Sequence, residues 1–548
     1  MLYYIWWKLG FCRIDPCGRS AKKNPRKKRT ILWANRKQTA RRAAGRSSPP
    51  SLAKEFNRQI KEGEICFANR HSALGNKNER QNAKKVPTVG SLRAENAVGT
   101  ASEARKTVVS IFDEGTFVET GALIARRFGE LPGEGESELA GVVTGYGAVD
   151  GKLTCAFLFD ATRMKGAVDG RTADKIVSLY DMAKKNGAPV VGVFDSVGAN
   201  IFEGVSALAA YGRILSAVAG ASGVIPQIAL ISGKCIGTLS AVAATFDIAL
   251  LHDGASLYVT DPALTGEKDG QAPILSAVCD PESAAARIRS LISFLPPCAG
   301  CGISVFGCSD DLNRRLAPTL PADADGILAA IADGGRLLPV SNAGSLLCSF
   351  AEIGGVRCGI VLSDKNQNEG RIDAFSARIA ARFVDFCDAF SLPVVTLVDS
   401  AGLAASGENE RAPFSSDLAR LALAYAGAGV PCVTVILGRA IGAAFALLGS
   451  RSLGADVAYA VEGSEIGALP ADAAVAFAFE DALAKGKTKE ELRREWMNMI
   501  ASPVAAAATG EIDDVIPASE LRCRVASALL MLSAKGTVDA PARAIRPF

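Results

Sequence analysis

SGVIPQIALISGKCIGTL, residues 222–239, reads as a buried strand from Gln227 to Ser232, a turn carrying Gly237, and the start of an apolar helix. The first N–H groups of a helix have no intrahelical partner and lie at the positive end of its dipole. A glycine before them lets the backbone come close to a bound group. Such a turn can hold a phosphate, or an oxyanion that develops during a reaction.

One such turn is common in α/β proteins, but here it occurs twice. PCVTVILGRAIGAA, residues 431–444, repeats the stretch from Pro226 at a spacing of 205 residues (431 − 226). Gly233, Lys234 and Gly237 meet Gly438, Arg439 and Gly442. Upstream, the stretch from Val168 to Ala199 lies over Ile372 to Leu403 at a spacing of 204 (372 − 168), so Asp195-Ser196 meets Asp399-Ser400. A repeat of this length is a duplicated domain of ordinary size.

Around these stretches the pattern alternates. Val142 to Phe159 reads as a hairpin about Asp150-Gly151, and a helix is expected over about Thr172 to Asn186. The strand PVVGVFDS, the helix SALAAYGRILSAVAG and the strands FDIALL and ASLYVTD follow. Gly270 to Leu338 reads as a connection, and from Leu338 the series repeats. FEDALAKGKTKEELRREWMNMIAS reads as one amphipathic helix outside the repeat. The expected fold is therefore α/β, built from two β/α layered units. Its expected divisions are a leader over 1–90, a first domain over 91–337 that includes the connection, and a second over 338–548.

The net charge of +4 hides an asymmetry. Residues 1–90 hold 22 Lys and Arg against 5 Asp and Glu, and the remainder holds 39 against 52. The leader shows no sustained period, so it is expected to be an unstructured extension rather than a nucleic-acid patch. Fourteen cysteines, mostly in apolar runs, fit a reduced, cytoplasmic protein. Cys298, Cys301 and Cys308 form half a metal site at most, because structural zinc takes four ligands; no metal is expected. With only His71 and His252, a Ser-His-Asp or Cys-His engine is close to excluded.

DSVGANIFEGV (195–205), SGVIPQIALISGKCIG (222–237), RFVDFCDAF (382–390), LPVVTLVDSAGL (392–403) and GEIDDVIPASELR (510–522) resemble the carboxyltransferase subunits of biotin-dependent acyl-CoA carboxylases and decarboxylases. The resemblance spans about Ser102 to Leu532. It implies tandem crotonase-like (ClpP/crotonase) β/α superhelical domains, a hexamer, and sites shared between subunits. It implies carboxyl transfer between carboxybiotin and the α-carbon of a short-chain acyl-CoA. Biotin would arrive on a biotin carboxyl carrier protein, with a biotin carboxylase or a membrane decarboxylase subunit as further partner. Substrate-borne groups would do the acid–base work, leaving the protein to supply position and two oxyanion holes, which suits a chain with two histidines.

Residue by residue, the resemblance places the holes at Gly237-Thr238 and at Gly442-Ala443-Ala444. Further donors would come from Gly166-Ala167 and Gly370-Arg371, and Gly198-Ala199 would line the substrate. Lys165, Arg171 and Lys175 are candidates for the CoA entry. Thr238 and Ala443 stand where the family usually has a second glycine, and Val197, Asn200 and Phe202 replace Gly, Arg and Gln. The alternatives are a catalytically weak paralogue serving as a structural or regulatory subunit, and a hydratase, which would want a second carboxylate beside Glu203.

Overall fold

A computed structural model describes residues 103–124, 139–266, 275–341, 344–407 and 413–535, with a few single positions between these stretches. The leader expected over 1–90 and the final residues lie outside them. Two eight-stranded sheets dominate. The first runs β1 (Val118–Thr120), β2 (Val142–Val149), β3 (Lys152–Phe159), β4 (Val190–Ser196), β5 (Gln227–Ile236), β6 (Ile248–His252) and β8 (Ser276–Cys279), with β7 (Ser256–Tyr258) paired to β5. The second runs in the same order: β9 (Leu337–Ser341), β10 (Leu346–Ile353), β11 (Val356–Ser363), β12 (Val394–Ser400), β13 (Cys432–Ile441), β14 (Val457–Val461) and β16 (Asp514–Ile516), with β15 (Glu465–Gly467) on β13. In each sheet the first three strands are antiparallel and the rest parallel.

The duplication seen in sequence is a duplication in space. β5 shifted by 205 residues is β13, and β4 shifted by 204 is β12. The strands are runs of Val, Ile, Leu and Ala buried on both faces, as parallel sheets covered by helices require.

The helices follow from caps as much as from period. The expected helix from Thr172 begins two residues earlier, at Gly170, because Asp169 accepts the Thr172 N–H as N-cap. Its counterpart Ala374–Ala389 is capped the same way by Asp373 on Ser376. The stretch expected as one helix from Phe479 is two, Glu480–Ala484 and Lys489–Met499. Gly486 with φ 91° breaks it, and Thr488 restarts the chain through a capping box with Glu491.

The stretch expected as a connection carries a strand and a helix that tie it to both halves. Ser276–Cys279 completes the first sheet beside β6, and the helix Pro281–Phe294 packs its Ile288, Leu291 and Ile292 into a core shared by both halves. The carbonyl end of that helix is held from both sides. Lys152 Nζ donates to the oxygens of Ile292, Ser293 and Leu295, and Arg357 donates to those of Ser293 and Phe294. Cations at a helix C-terminus satisfy its free carbonyls and its dipole. The same core runs from Val191, Ile228 and Leu250 of the first half to Phe350, Phe383 and Phe386 of the second.

Candidate active site

Each half carries the same constellation where strand ends meet helix starts. β5 leaves β4 after Phe194, is displaced in register, and pairs its last residues with β7; β13 does the same between β12 and β15. An aspartate at the end of the preceding strand sets this bend. Asp399 Oδ1 accepts the N–H of Arg439 at 2.9 Å, and a Cβ on Gly438 would stand 2.6 Å from the Asp399 carboxylate. In the first half Asp195 accepts the N–H of Lys234, and a Cβ on Gly233 would stand 2.4 Å from its Oδ1. A side chain at either place would displace the carboxylate that sets the bend, and burial there raises the Asp195 carboxyl above its ordinary range.

The strands end at Gly237 (φ 71°) and Gly442 (φ 57°), which turn the chain into the helices Thr238–Ala244 and Ala443–Leu447. Neither helix has a side-chain cap. The glycine N–H groups, expected as donors, are already engaged: Gly237 donates to Tyr258 O and Gly442 to Gly467 O, both at 2.8 Å. The donors without a partner among the described residues include those of Thr238 and Ala443, one residue on, and of Leu239 and Ala444 behind them. The glycines supply the left-handed turn that aims these donors outward. Thr238 is exposed, Ala443 half-buried and Ala444 buried.

The loops after β3 and β11 lie beside these ends. Val168 N–H donates to Gly198 O at 2.8 Å and Asn200 N–H returns to Val168 O, which sets Ala199 beside Val168; Ile372 with Gly402 and Ala404 repeats the pattern. Ser196 Oγ accepts from Gly198 N–H and donates to Gly166 O, clamping the two loops together. A Cβ on Gly166 would stand 2.5 Å from Asp195 O, and one on Gly370 2.2 Å from Asp399 O. The further donors expected here are mostly spent. Gly166 donates to Arg163 O, Gly370 to Gln367 O and Arg371 to Asn368 O. Of the four, only the Ala167 N–H has no backbone partner among the described residues.

Of the three basic side chains expected at the CoA entry, one is exposed and two are buried. Lys165 is exposed, on a left-handed residue at φ 52°. Lys175 is 4% exposed and donates to Val142 O at 2.6 Å; burial pushes its ammonium down to about 8. Arg171 is also buried and grips Asp169, the cap of its own helix. Helical spacing placed these two side chains on the inner face, which the basic run alone did not reveal. Arg371 donates to Ala401 O and pairs with Glu369. Glu203 accepts the N–H of Gly170 at the start of a helix.

A cleft of about 660 Å³ opens beside Gly442, walled by Phe445, Ile466, Gly467, Met499, Ile500 and Ala506. Met499 and Ile500, at the end of the helix that lies outside the repeat, were not foreseen; only their apolar character at a helix terminus pointed to them. The aspartates Asp195 and Asp399 were visible as repeat markers, and their role in bending β5 and β13 was not. Val197 and Phe202, two of the departures from the family's motif, are 51% and 74% exposed on the surface next to Gly198.

The carboxyl transferase domain model matches residues 100–546. Propionyl-CoA carboxylase beta chain of Saccharopolyspora erythraea is 34% identical over 480 residues, covering 79% of this chain and 88% of its own. Methylmalonyl-CoA decarboxylase subunit alpha of Veillonella parvula is 34% identical over 474 residues, covering 80% and 91%. Among solved structures, transcarboxylase 12S, a hexamer with methylmalonyl-coenzyme A and methylmalonic acid bound, superposes with a TM-score of 0.73 at 27% identity, covering 90% of this chain and 98% of its own. The two halves are thus crotonase-like, as the resemblance implied. By the extent of these matches, the chain belongs to the carboxyl transferase family, as a carboxyltransferase subunit of the acyl-CoA carboxylase and decarboxylase group.

Proposed function

We propose that this subunit moves a carboxyl group between carboxybiotin on a carrier protein and the α-carbon of a short-chain acyl-CoA, using two backbone oxyanion holes. The observation that carries this reading is the pair of uncapped helix starts, Thr238 and Ala443, each behind a left-handed glycine whose own N–H is bonded elsewhere. Two fixed N–H donors suit two oxygens that gain negative charge, a thioester oxygen and a ureido oxygen. Each such donor supplies about 3 kcal/mol to a transition state in a dry site.

When bound, carboxybiotin supplies the carboxyl group and its ureido nitrogen a proton acceptor. The protein's part is to hold and to exclude. The Asp195 and Asp399 bends fix the strand ends, and the Ser196 clamp fixes the loop that carries Ala167. Phe445, Ile466, Met499 and Ile500 give the cleft beside the second hole a largely apolar wall. No titrating side chain is needed next to the reacting atoms, which agrees with the burial of Lys175 and the engagement of Glu203. The likeness to hexameric transcarboxylase 12S supports a hexamer for this chain, and the carboxylase relatives support a biotin carrier and a biotin carboxylase or decarboxylase subunit as partners.

The test is transfer of labelled carboxyl from carboxybiotin to acetyl-, propionyl- and butyryl-CoA, with methylmalonyl-CoA decarboxylation as the reverse. Turnover in either direction is expected. Absence of both across the whole acyl series, with a folded oligomer seen by light scattering, overturns the reading.

A further inference from the structure

Cys298 and Cys301 stand apart from the chemistry above. They lie in CAGCG, just after the helix Pro281–Phe294, with their sulfurs 3.4 Å apart. We propose that they form a reversible dithiol–disulfide site, oxidised by low-molecular-weight disulfides.

Three features of the loop bring the thiols together. Gly300, between them, has φ 75°, a conformation that lets the chain fold back so that both side chains share one side. Ala299 N–H donates to Val224 O at 2.9 Å and pins the loop to the turn before β5. Cys298 packs at the end of the helix Gly170–Asn186, where a Cβ on Gly187 would stand 3.1 Å from its sulfur; glycine leaves the room it uses. At 3.4 Å the sulfurs are in van der Waals contact, close to the bonded distance of about 2.05 Å.

The two thiols have different parts. Cys301 is exposed and meets the oxidant first; Cys298 is half-buried and held beside it. The Cys301 thiolate attacks one sulfur of the small disulfide and expels a thiolate, giving a mixed disulfide. The Cys298 thiol then loses its proton to solvent and attacks the Cys301 sulfur, expelling the second thiolate. The protein loses two hydrogens, and the small disulfide is reduced to two thiols.

The other described cysteines do not compete. Seven are buried in the sheets and helices, Cys308 donates to Asp310 O and lies 3.4 Å from Asp333 Oδ2, and Cys523 donates to Glu520 O. No group of three or more His, Cys, Asp or Glu among the described residues completes a metal cluster with the pair. Closing so short a loop removes little chain entropy from the unfolded state, so the site is chemical rather than a stability staple.

The test equilibrates the full chain in glutathione buffers stepped from reducing to oxidising. Acid quenching, alkylation and trypsin give the peptide Ser290–Arg314, which carries Cys298, Cys301 and Cys308. The expected product is lighter by two hydrogens, alkylated only at Cys308, and returned to three alkylated cysteines by dithiothreitol. Cys308→Ser should leave the bond in place, and Cys301→Ser should abolish it. The proposal is overturned if the peptide stays fully alkylated throughout, if Cys301 accumulates as a glutathione adduct, or if Cys308 is the partner.

Discussion

Arg382, on the helix Ala374–Ala389 of the second half, donates a hydrogen bond to the backbone oxygen of Phe246 in the first half, next to the buried carboxyl of Asp247. Arg382 is 2% exposed, and Asp247 holds the start of β5 by accepting the Gln227 N–H at 2.8 Å. The equivalent aspartate of the second half, Asp456, accepts the Cys432 N–H and pairs with Lys535 instead. One repeated device thus has two partners: a lysine near the surface in one copy, and an arginine across the core in the other. Breaking a buried polar contact of this kind costs several kcal/mol, because the other group is left without solvent or partner. Arg382→Ala is therefore expected to lower the thermal midpoint far more than Lys535→Ala, and equal shifts would show that the contact between the halves carries no such weight.

The same pair sets a pH dependence. Burial pushes the Asp247 carboxyl up to about 7 from its ordinary 3.8, with Arg382 drawing it back. The folded chain then keeps a proton that the unfolded chain releases. Between these values the native state binds more protons, so stability falls as pH rises and the loss is complete above about 7. One pH unit of displaced titration corresponds to about 1.4 kcal/mol, so the effect reaches a few kcal/mol. Asp247→Asn should flatten this slope. Denaturant midpoints at pH 5 and pH 7.5 check it, and an unchanged slope in the variant would falsify the assignment.

Lys175 gives an opposite kind of test. Its ammonium is lowered to about 8 by burial, and its donation to Val142 O leaves it no reach to a substrate. A base whose folded pKa is depressed weakens the fold as pH falls from its unfolded value near 10.5 through about 8. Lys175→Met removes the buried charge at similar length. We expect KM for the acyl-CoA to hold within about twofold, with no loss of stability at neutral pH. A KM rise of tenfold or more with unchanged folding would return Lys175 to the CoA entry.

These residues show what the sequence carried and where it stopped. The duplication was legible because each half repeats its strands, glycines and Asp-Ser dipeptides in one order, and space kept that order. The short edge strands Ser276–Cys279 and Asp514–Ile516 were not, since three or four residues cannot display a period. The turn at Gly237-Thr238 was legible as a strand end and helix start, yet which of its two N–H groups is already engaged was not. The acceptor of the Gly237 N–H, Tyr258 O, sits on a strand 21 residues on (258 − 237), and only pairing in three dimensions brings it there. Likewise the charge of Lys175 was plain in the sequence, and its inward direction depended on the packing of the helix against β2.

Thr238 and Ala443 offer the mildest change at the holes. If the backbone N–H is the working group, Thr238→Gly and Ala443→Gly keep it and remove only the side chain. Carboxyl transfer should stay within a few-fold of the wild-type rate or rise. A hundredfold fall in either variant, with the fold intact by circular dichroism, would assign the role to the side chain instead.

The stronger test deletes the donor itself. Ala443 is the first residue of its helix, a position that tolerates proline because its N–H has no intrahelical partner. Ala443→Pro thus removes one N–H with little cost to the helix, and places the ring where the bound oxygen would lie. Loss of one oxyanion donor costs about a hundredfold or more in kcat. Gly442→Val acts on the same hole by another route: φ is 57° there, and an added Cβ would stand 3.3 Å from Ala468 O. A β-branched residue resists that conformation and displaces the turn. Both variants should lose kcat by at least two orders of magnitude, Ala443→Pro with a nearly unchanged thermal midpoint and Gly442→Val with a lowered one. If Ala443→Pro transfers carboxyl at the wild-type rate, the second helix start is a feature of the repeated fold and takes no part in the reaction.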